Sequence, residues 1–323
     1  LLNREAFKAT APAKRVRVTA TGEDLETGPQ DWHPEPYQLE GVKFLLEHAC
    51  ACLMLDPGYR KTSIVLGAIK MLIKKGVVNR VLVVAPPRVS KSVWPAEVKK
   101  WADFNHLKVV HLHGLKKERL LDVEADIFVV NFEGLEWLFN VTKVKSPKTK
   151  KVSLKINLDR FKRLGVNMLA VDEISKLRKA TSQRSKIINL IRDKFDRIVG
   201  MTGSPAPRSL LDLFGVMLVI DGGYSLGAYI THYRGAYFTP SGYGGFDYQL
   251  QPGGKERIYE RIAPFAYRPG KQASLQLPQL VTNIVTVDLP DDVRDVYDAL
   301  DDEFIAQVEK KGMAAVTVVA NNA

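Results

Sequence analysis

Apolar residues recur along this chain in two rhythms. From Tyr37 onward they fall at helical spacing, with Leu39, Val42, Leu45 and Leu46 on one side, which predicts an amphipathic helix beginning near Tyr37. Short, mostly apolar runs follow at Ala51–Leu55, Val81–Ala85, Ile127–Phe132, Met168–Val171 and Arg197–Met201. Helical stretches alternate with them: Lys61 to Lys75, apolar almost all round, then Trp94–Trp101 and Glu133–Phe139. Lys74, Lys75 and Gly76 suit a helix C-terminus. Buried strands alternating with helices predict an α/β fold with a parallel sheet covered on both faces.

The pattern is less regular elsewhere. Residues 1–33 are polar and turn-rich, with a basic cluster at Lys14, Arg15 and Arg17, and read as an arm. Val141–Arg163 carries Lys143, Lys145, Lys148, Lys150, Lys151, Lys155 and Lys162 and reads as an exposed insertion, either a solvated loop or a nucleic-acid contact. After Asp221 glycine and tyrosine are frequent and suit loops. Tyr233, Arg234, Tyr237 and Arg268 fit ordinary packing or stacking on bases. Leu280–Leu289 alternates like a strand, and Asp291–Val308 reads as an acidic amphipathic helix. The expected organisation is therefore an arm (1–33), an α/β lobe (34–220), and a mixed or helical extension (221–323).

One junction carries chemistry. At Leu53–Thr62, L-M-L-D-P-G-Y-R-K-T, an apolar run ends in a Pro-Gly turn and a Lys-Thr pair opens a helix. This is the layout of a phosphate-binding loop. The turn residues Asp56, Pro57, Gly58, Tyr59 and Arg60 and the helix start (Lys61, Thr62, Ser63) would wrap a di- or triphosphate, through the backbone N–H groups that all of them but Pro57 carry. Lys61 would reach the β/γ-phosphates and Thr62 would bind Mg²⁺. Arg60 stands where such loops have glycine, and a side chain there crowds the approach of backbone to phosphate.

Asp172-Glu173 follows the Met168 run. Asp172 would hold Mg²⁺, through water, and Glu173 would polarise an attacking water. Thr202-Gly203-Ser204-Pro205 follows the Arg197 run, where its hydroxyls could sense the γ-phosphate end of the site. Each candidate ends a predicted strand, and in open α/β sheets ligands bind beyond the carboxyl ends of the strands.

Composition narrows the partner. Forty-seven Lys and Arg against 36 Asp and Glu leave a net charge of +11. That surface favours a polyanion, most simply nucleic acid. No apolar run is long enough to span a bilayer and no signal peptide is visible, so a soluble, cytoplasmic protein is expected. Cys50 and Cys52, one residue apart in a helix-like context, are too few for a metal cluster and fit a reduced compartment. The chain starts with Leu and ends A-N-N-A, which reads as a fragment.

Taken in order, Y-Q-L-E-G-V (37–42), D-P-G-Y-R-K-T, V-L-V-V-A-P (81–86) with W-P-A-E-V-K-K-W behind it, V-V-N-F-E-G-L, V-D-E-I-S-K-L-R-K and T-G-S-P-A-P-R-S-L-L-D-L-F resemble the first motor lobe of superfamily-two helicases. They are most similar to the Swi/Snf-type DNA translocases and their phage-like relatives. The resemblance covers roughly residues 34 to 310. It implies a RecA-like lobe that uses ATP and Mg²⁺ to move along DNA, duplex more than single strand, with the host cytoplasm as location if phage-encoded. It implies that Gln38 reads adenine, that Lys61, Asp172 and Glu173 are catalytic, and that Thr202, Gly203 and Ser204 couple nucleotide to DNA. Pro86, Arg88 and Asn131 match segments that touch the nucleic-acid backbone.

The family's Asp-Glu box continues Ala-His, and here Ile174-Ser175 follows. Arg60 either abolishes nucleotide binding or lends its guanidinium to phosphate. The second lobe, with its arginine finger, is expected beyond Ala323, so this chain alone should hydrolyse ATP poorly. Two other readings compete: a nucleic-acid-binding scaffold whose ATPase is disabled by Arg60, and a P-loop kinase or small-molecule enzyme.

Overall fold

The computed structural model describes residues 28–145, 152–206, 208–242 and 247–269, with Asp291, Arg294, Asp298 and Ala299 beyond them. The chain divides into two compact units, Leu1–Ser274 and Leu275–Ala323. In the second unit the four described residues are helical; the expected strand at Leu280–Leu289 and the rest of the Asp291–Val308 helix lie outside the described residues. So do residues 1–27 of the expected arm.

The first unit is built in chain order from α1 (Pro36–Glu47), β1 (Cys50–Met54), α2 (Lys61–Lys74), β2 (Val81–Ala85), α3 (Trp94–Lys100), β3 (Val109–His111), β4 (Ile127–Asn131) and α4 (Gly134–Leu138). There follow β5 (Thr142–Lys145), β6 (Val152–Lys155), α5 (Asp159–Leu164), β7 (Met168–Asp172), α6 (Gln183–Ile191), β8 (Arg197–Thr202) and α7 (Asp212–Asp221). Last come α8 (Ile230–Tyr237), β9 (Phe238–Ser241), β10 (Asp247–Leu250), α9 (Gly254–Ile262) and β11 (Ala266–Tyr267). A single π-helical turn, Val89–Val93, leads into α3.

Seven strands form one sheet in the order β11-β1-β8-β7-β2-β4-β3, every pairing parallel. The central strands are buried along their whole length, which is why they read as predominantly apolar runs. This is the expected RecA-like α/β fold. One close approach holds it together. A Cβ on Gly215 of α7 would lie 2.0 Å from the carbonyl oxygen of Arg178, so α7 packs backbone to backbone on the segment after Asp172-Glu173.

Three expectations change. The boundary at 220 does not divide the sheet, because β11 pairs with β1 (Cys52 with Ala266, Leu53 with Tyr267). The glycine- and tyrosine-rich stretch is not simply loops: it holds α8 and the β9–β10 hairpin. Cys50 and Cys52 lie on β1 rather than in a helix, as free thiols. Burial raises both thiols, Cys52 to about 12, so both are packing residues. At the near end of the arm, Trp32 is buried and its backbone N–H bonds Asp103 at 3.1 Å. No helix among the described residues is long and apolar enough to cross a membrane.

Candidate nucleotide site and the adjoining strand ends

The register sets the geometry. Met54 pairs with Thr202 and Met201 with Asp172, so the ends of β1, β8 and β7 stand side by side. The phosphate-loop candidate, the T-G-S-P turn and the Asp-Glu pair therefore share one edge of the sheet. The Leu55 N–H donates to the Thr202 carbonyl at 3.1 Å, and a Cβ on Gly203 would meet Pro57 at 3.0 Å. A larger residue at 203 would push directly on the loop.

Within the loop, the Tyr59 N–H bonds the Asp56 carbonyl at 3.3 Å, and Gly58 takes φ 90°. Arg60 adopts φ 44° and ψ 45°, the left-handed conformation that glycine takes without penalty, and its side chain is exposed. The loop keeps its turn despite the arginine. Lys61 folds back, its Nζ donating to the carbonyls of Leu55 (2.9 Å) and Asp56 (3.1 Å). Burial holds the Lys61 ammonium below its usual pKa, against the opposing pull of Glu173, Asp172 and Asp56. Thr62 is half-buried on the first turn of α2.

Gln38 is fully buried. Its Oε1 accepts from the Glu35 N–H at 3.0 Å, and its Nε2 donates to Ser63 Oγ at 3.0 Å. Ser63 Oγ in turn donates to the Arg60 carbonyl at 2.8 Å. The side chain expected to read adenine thus links the start of α1 to the loop. Tyr37 and Tyr59 meet edge to face beside it, with ring centroids 5.3 Å apart.

Asp172 is 8% exposed and ends β7. Its Oδ2 accepts from Trp94 Nε1 at 3.1 Å. Burial raises the Asp172 pKa, and the indole bond opposes that shift. Glu173, half-exposed, sits at φ 53° and ψ 54°, a second left-handed non-glycine residue in the site. Thr202 is fully buried, its Oγ1 accepting from the Ser204 N–H at 3.1 Å.

Pro86, Arg88 and Asn131 form a second group along the same edge, beyond β2 and β4, where Ala85 pairs with Asn131. Arg88 is exposed. Asn131 Oδ1 accepts from the Gly134 N–H at 2.9 Å and so starts α4. By contrast Tyr233 is fully buried with its hydroxyl on the Leu210 carbonyl, while Arg234 and Arg268 lie over Tyr248 and Tyr259. These residues are packing.

Sequence reasoning missed Trp94. It stood inside the quoted W-P-A-E-V-K-K-W segment, and nothing in its spacing shows which carboxylate its indole reaches.

Residues 37–321 match the SNF2-related domain family. The chain belongs to that family. It is 25% identical over 310 residues to putative protein p41 of Acyrthosiphon pisum secondary endosymbiont phage 1, covering 89% of this chain and 61% of that protein. It is 26% identical over 226 residues to the chromatin remodeling factor mit1 of Schizosaccharomyces pombe, covering 65% of this chain and 15% of that protein. In fold it matches the Sulfolobus solfataricus SWI2/SNF2 ATPase core in complex with dsDNA, with a TM-score of 0.57, 19% identity and coverage of 90% of this chain and 56% of that one. The Sulfolobus solfataricus SWI2/SNF2 ATPase core domain matches with a TM-score of 0.54 and 20% identity, over 93% of this chain and 57% of that one. The chain thus spans about three fifths or less of these relatives. Family and fold together support an ATP-dependent motor domain.

Proposed function

We propose that this chain is the first motor lobe of a Swi/Snf-type DNA translocase, coupling ATP binding and hydrolysis to movement on DNA. The observation that carries the reading is the shared edge. The P-loop, the T-G-S-P turn and the Asp-Glu pair end three adjacent strands, and Pro86, Arg88 and Asn131 continue the row.

On this reading the N–H groups at the start of α2 cradle the phosphates, and Lys61 swings from the Leu55 and Asp56 carbonyls to the β/γ oxygens. Thr62 and Asp172 offer the hard oxygens Mg²⁺ prefers, Asp172 having Oδ1 outside its bond to Trp94. The ion held there neutralises phosphate charge. Glu173 orients the attacking water. Gln38 reads adenine, or senses it through Ser63, and Thr202 with Ser204 relays the γ-phosphate state. Duplex DNA lies along the Pro86, Arg88 and Asn131 end of the row. A second lobe supplies the arginine finger, worth ~10³ or more in rate, so this chain alone turns over slowly. The setting is the cytoplasm, the host's if phage-encoded.

The test is a calorimetric titration of Mg²⁺ and ADP into the chain and its Lys61→Ala variant, beside duplex-DNA binding at rising salt. Nucleotide affinity lost with Lys61, and DNA affinity that falls steeply with salt, are the expected results. Sequence-specific DNA binding that is flat in salt, or hydrolysis by the isolated chain at the rate of an intact two-lobed motor, contradicts the proposal.

A further inference from the structure

The lysine-rich insertion is an antiparallel hairpin, β5 paired with β6, every residue of β5 exposed. From Val141 to Leu158 the sequence has six lysines and no Asp or Glu. Among the described residues, Lys143, Lys145 and Lys155 have no acidic partner. The neighbouring arginines differ: Arg160 and Arg163 are tied to Glu118, and Arg163 also to Asp122. Register puts Lys143 and Lys145 on one face and Lys155 on the other, so ammonium groups project from both sides. Unpaired like charges on a narrow ribbon repel one another, and no acidic side chain among the described residues pairs with them to relieve that repulsion. Val144 and Val152 stay exposed between them, so apolar burial does not explain the ribbon either.

The hairpin's root is tied to the strand edge described above. Asn131 Oδ1 starts α4, whose five residues rise only about 7.5 Å. The Val141 N–H then bonds the Glu136 carbonyl at 3.0 Å, and the Asn157 N–H bonds the Phe139 carbonyl at 2.8 Å, closing the base. At that base Lys117 and Arg160 lie over the Trp137 ring, 4.4 and 5.0 Å from its centre. The hairpin thus starts one short helix beyond the Asn131 end of the sheet.

We infer that the β5–β6 hairpin is a second nucleic-acid contact, gripping the phosphate backbone of duplex DNA beside the segment held at the strand ends. The inference rests on the proposed DNA-bound motor and adds a site to it. Lysines there act as point charges on phosphate, raising affinity without reading sequence.

The test replaces Lys143, Lys145 and Lys155 together by Gln and measures duplex binding between about 50 and 200 mM salt. The expected result is a salt slope shallower by about 0.9 per lost phosphate contact, so up to about 2.7, with Mg²⁺–ADP affinity and melting temperature unchanged. If the unaltered chain binds duplex and the triple variant matches it in affinity and slope, the hairpin inference is overturned while the motor reading stands. The lysines would then belong to an acidic protein surface. If the unaltered chain shows no salt-sensitive affinity, the motor reading fails first and takes the hairpin with it.

Discussion

Trp94 Nε1 donates to Asp172 Oδ2 across 3.1 Å, between side chains from different segments that are both buried. Trp94 opens α3 directly after the π-helical turn that follows Arg88, so the bond joins the proposed DNA-contacting segment to the proposed metal acid. A Trp94→Phe change keeps an aromatic plug and removes the N–H. Leaving a buried carboxylate oxygen without its donor costs about 1–3 kcal/mol. Because the indole bond opposes the burial-driven rise in the Asp172 pKa, the variant's pKa climbs further. The acid then ionises only at higher pH. The expected outcome is Mg²⁺-dependent ADP affinity whose pH midpoint moves upward, while metal-free ADP affinity stays put. Equal pH profiles for the two proteins would reduce Trp94 to packing.

Arg60 holds its left-handed backbone conformation with its side chain exposed. A left-handed L-residue costs roughly 1–2 kcal/mol, and a glycine there gives back roughly 0.5–1 in chain entropy. Arg60→Gly should therefore stabilise the chain by about 0.5–1 kcal/mol, read as a raised denaturant midpoint at constant m. With the guanidinium exposed and the turn intact, calorimetry should find ADP binding to both proteins. Binding by the glycine variant alone would make this a motor lobe disabled at one residue.

The parts legible in the sequence were those fixed by local pattern. β1, β2, β4, β7 and β8 are predominantly apolar runs because both sheet faces are covered, and their ends carry the motifs. β3 was not legible: it is three half-buried residues with no distinctive run. β11 is two residues, held by its pairing with β1 and by Tyr267 Oη, which donates to the Tyr37 carbonyl at 2.7 Å. Neither contact is local. The hydrogen-bond partners of Gln38 and Trp94 were hidden for the same reason, since they lie 25 and 78 residues away. The π-helical turn before α3 likewise has no sequence period of its own.

Arg197 illustrates a long-range link with a measurable consequence. It starts β8, is 9% exposed, and its Nη2 donates to the carbonyls of Leu45 (2.6 Å), Leu46 (3.1 Å) and His48 (2.8 Å). The Leu45 and Leu46 carbonyls are among the last of α1, which lack partners inside the helix, His48 follows as its C-cap, and a cation is favourable there. Arg197→Leu leaves the buried Leu45 carbonyl and the part-buried Leu46 and His48 carbonyls without this donor. A loss of about 2–4 kcal/mol is expected, seen as a lower urea midpoint. A loss under about 0.5 kcal/mol would mean that water replaces the guanidinium.

His111 closes β3 beside the π-helical turn, with Ser90 Oγ 3.3 Å from its Nε2 and His113 stacked on it at 5.3 Å. Burial lowers its pKa, and the charges of His113 and Lys91 lower it further. The folded chain therefore binds fewer protons here than the unfolded chain, whose imidazole titrates near 6.5. Stability contributed by this group is fully present above that pH and is lost as pH falls from about 6.5 through the lower folded value. His111→Gln keeps a polar partner for Ser90 and removes the titration. Denaturant midpoints of the two proteins should run parallel above about pH 7 and separate below about 6, the unaltered chain falling faster. Curves that stay parallel to pH 5 would mean that His111 protonates in place without penalty.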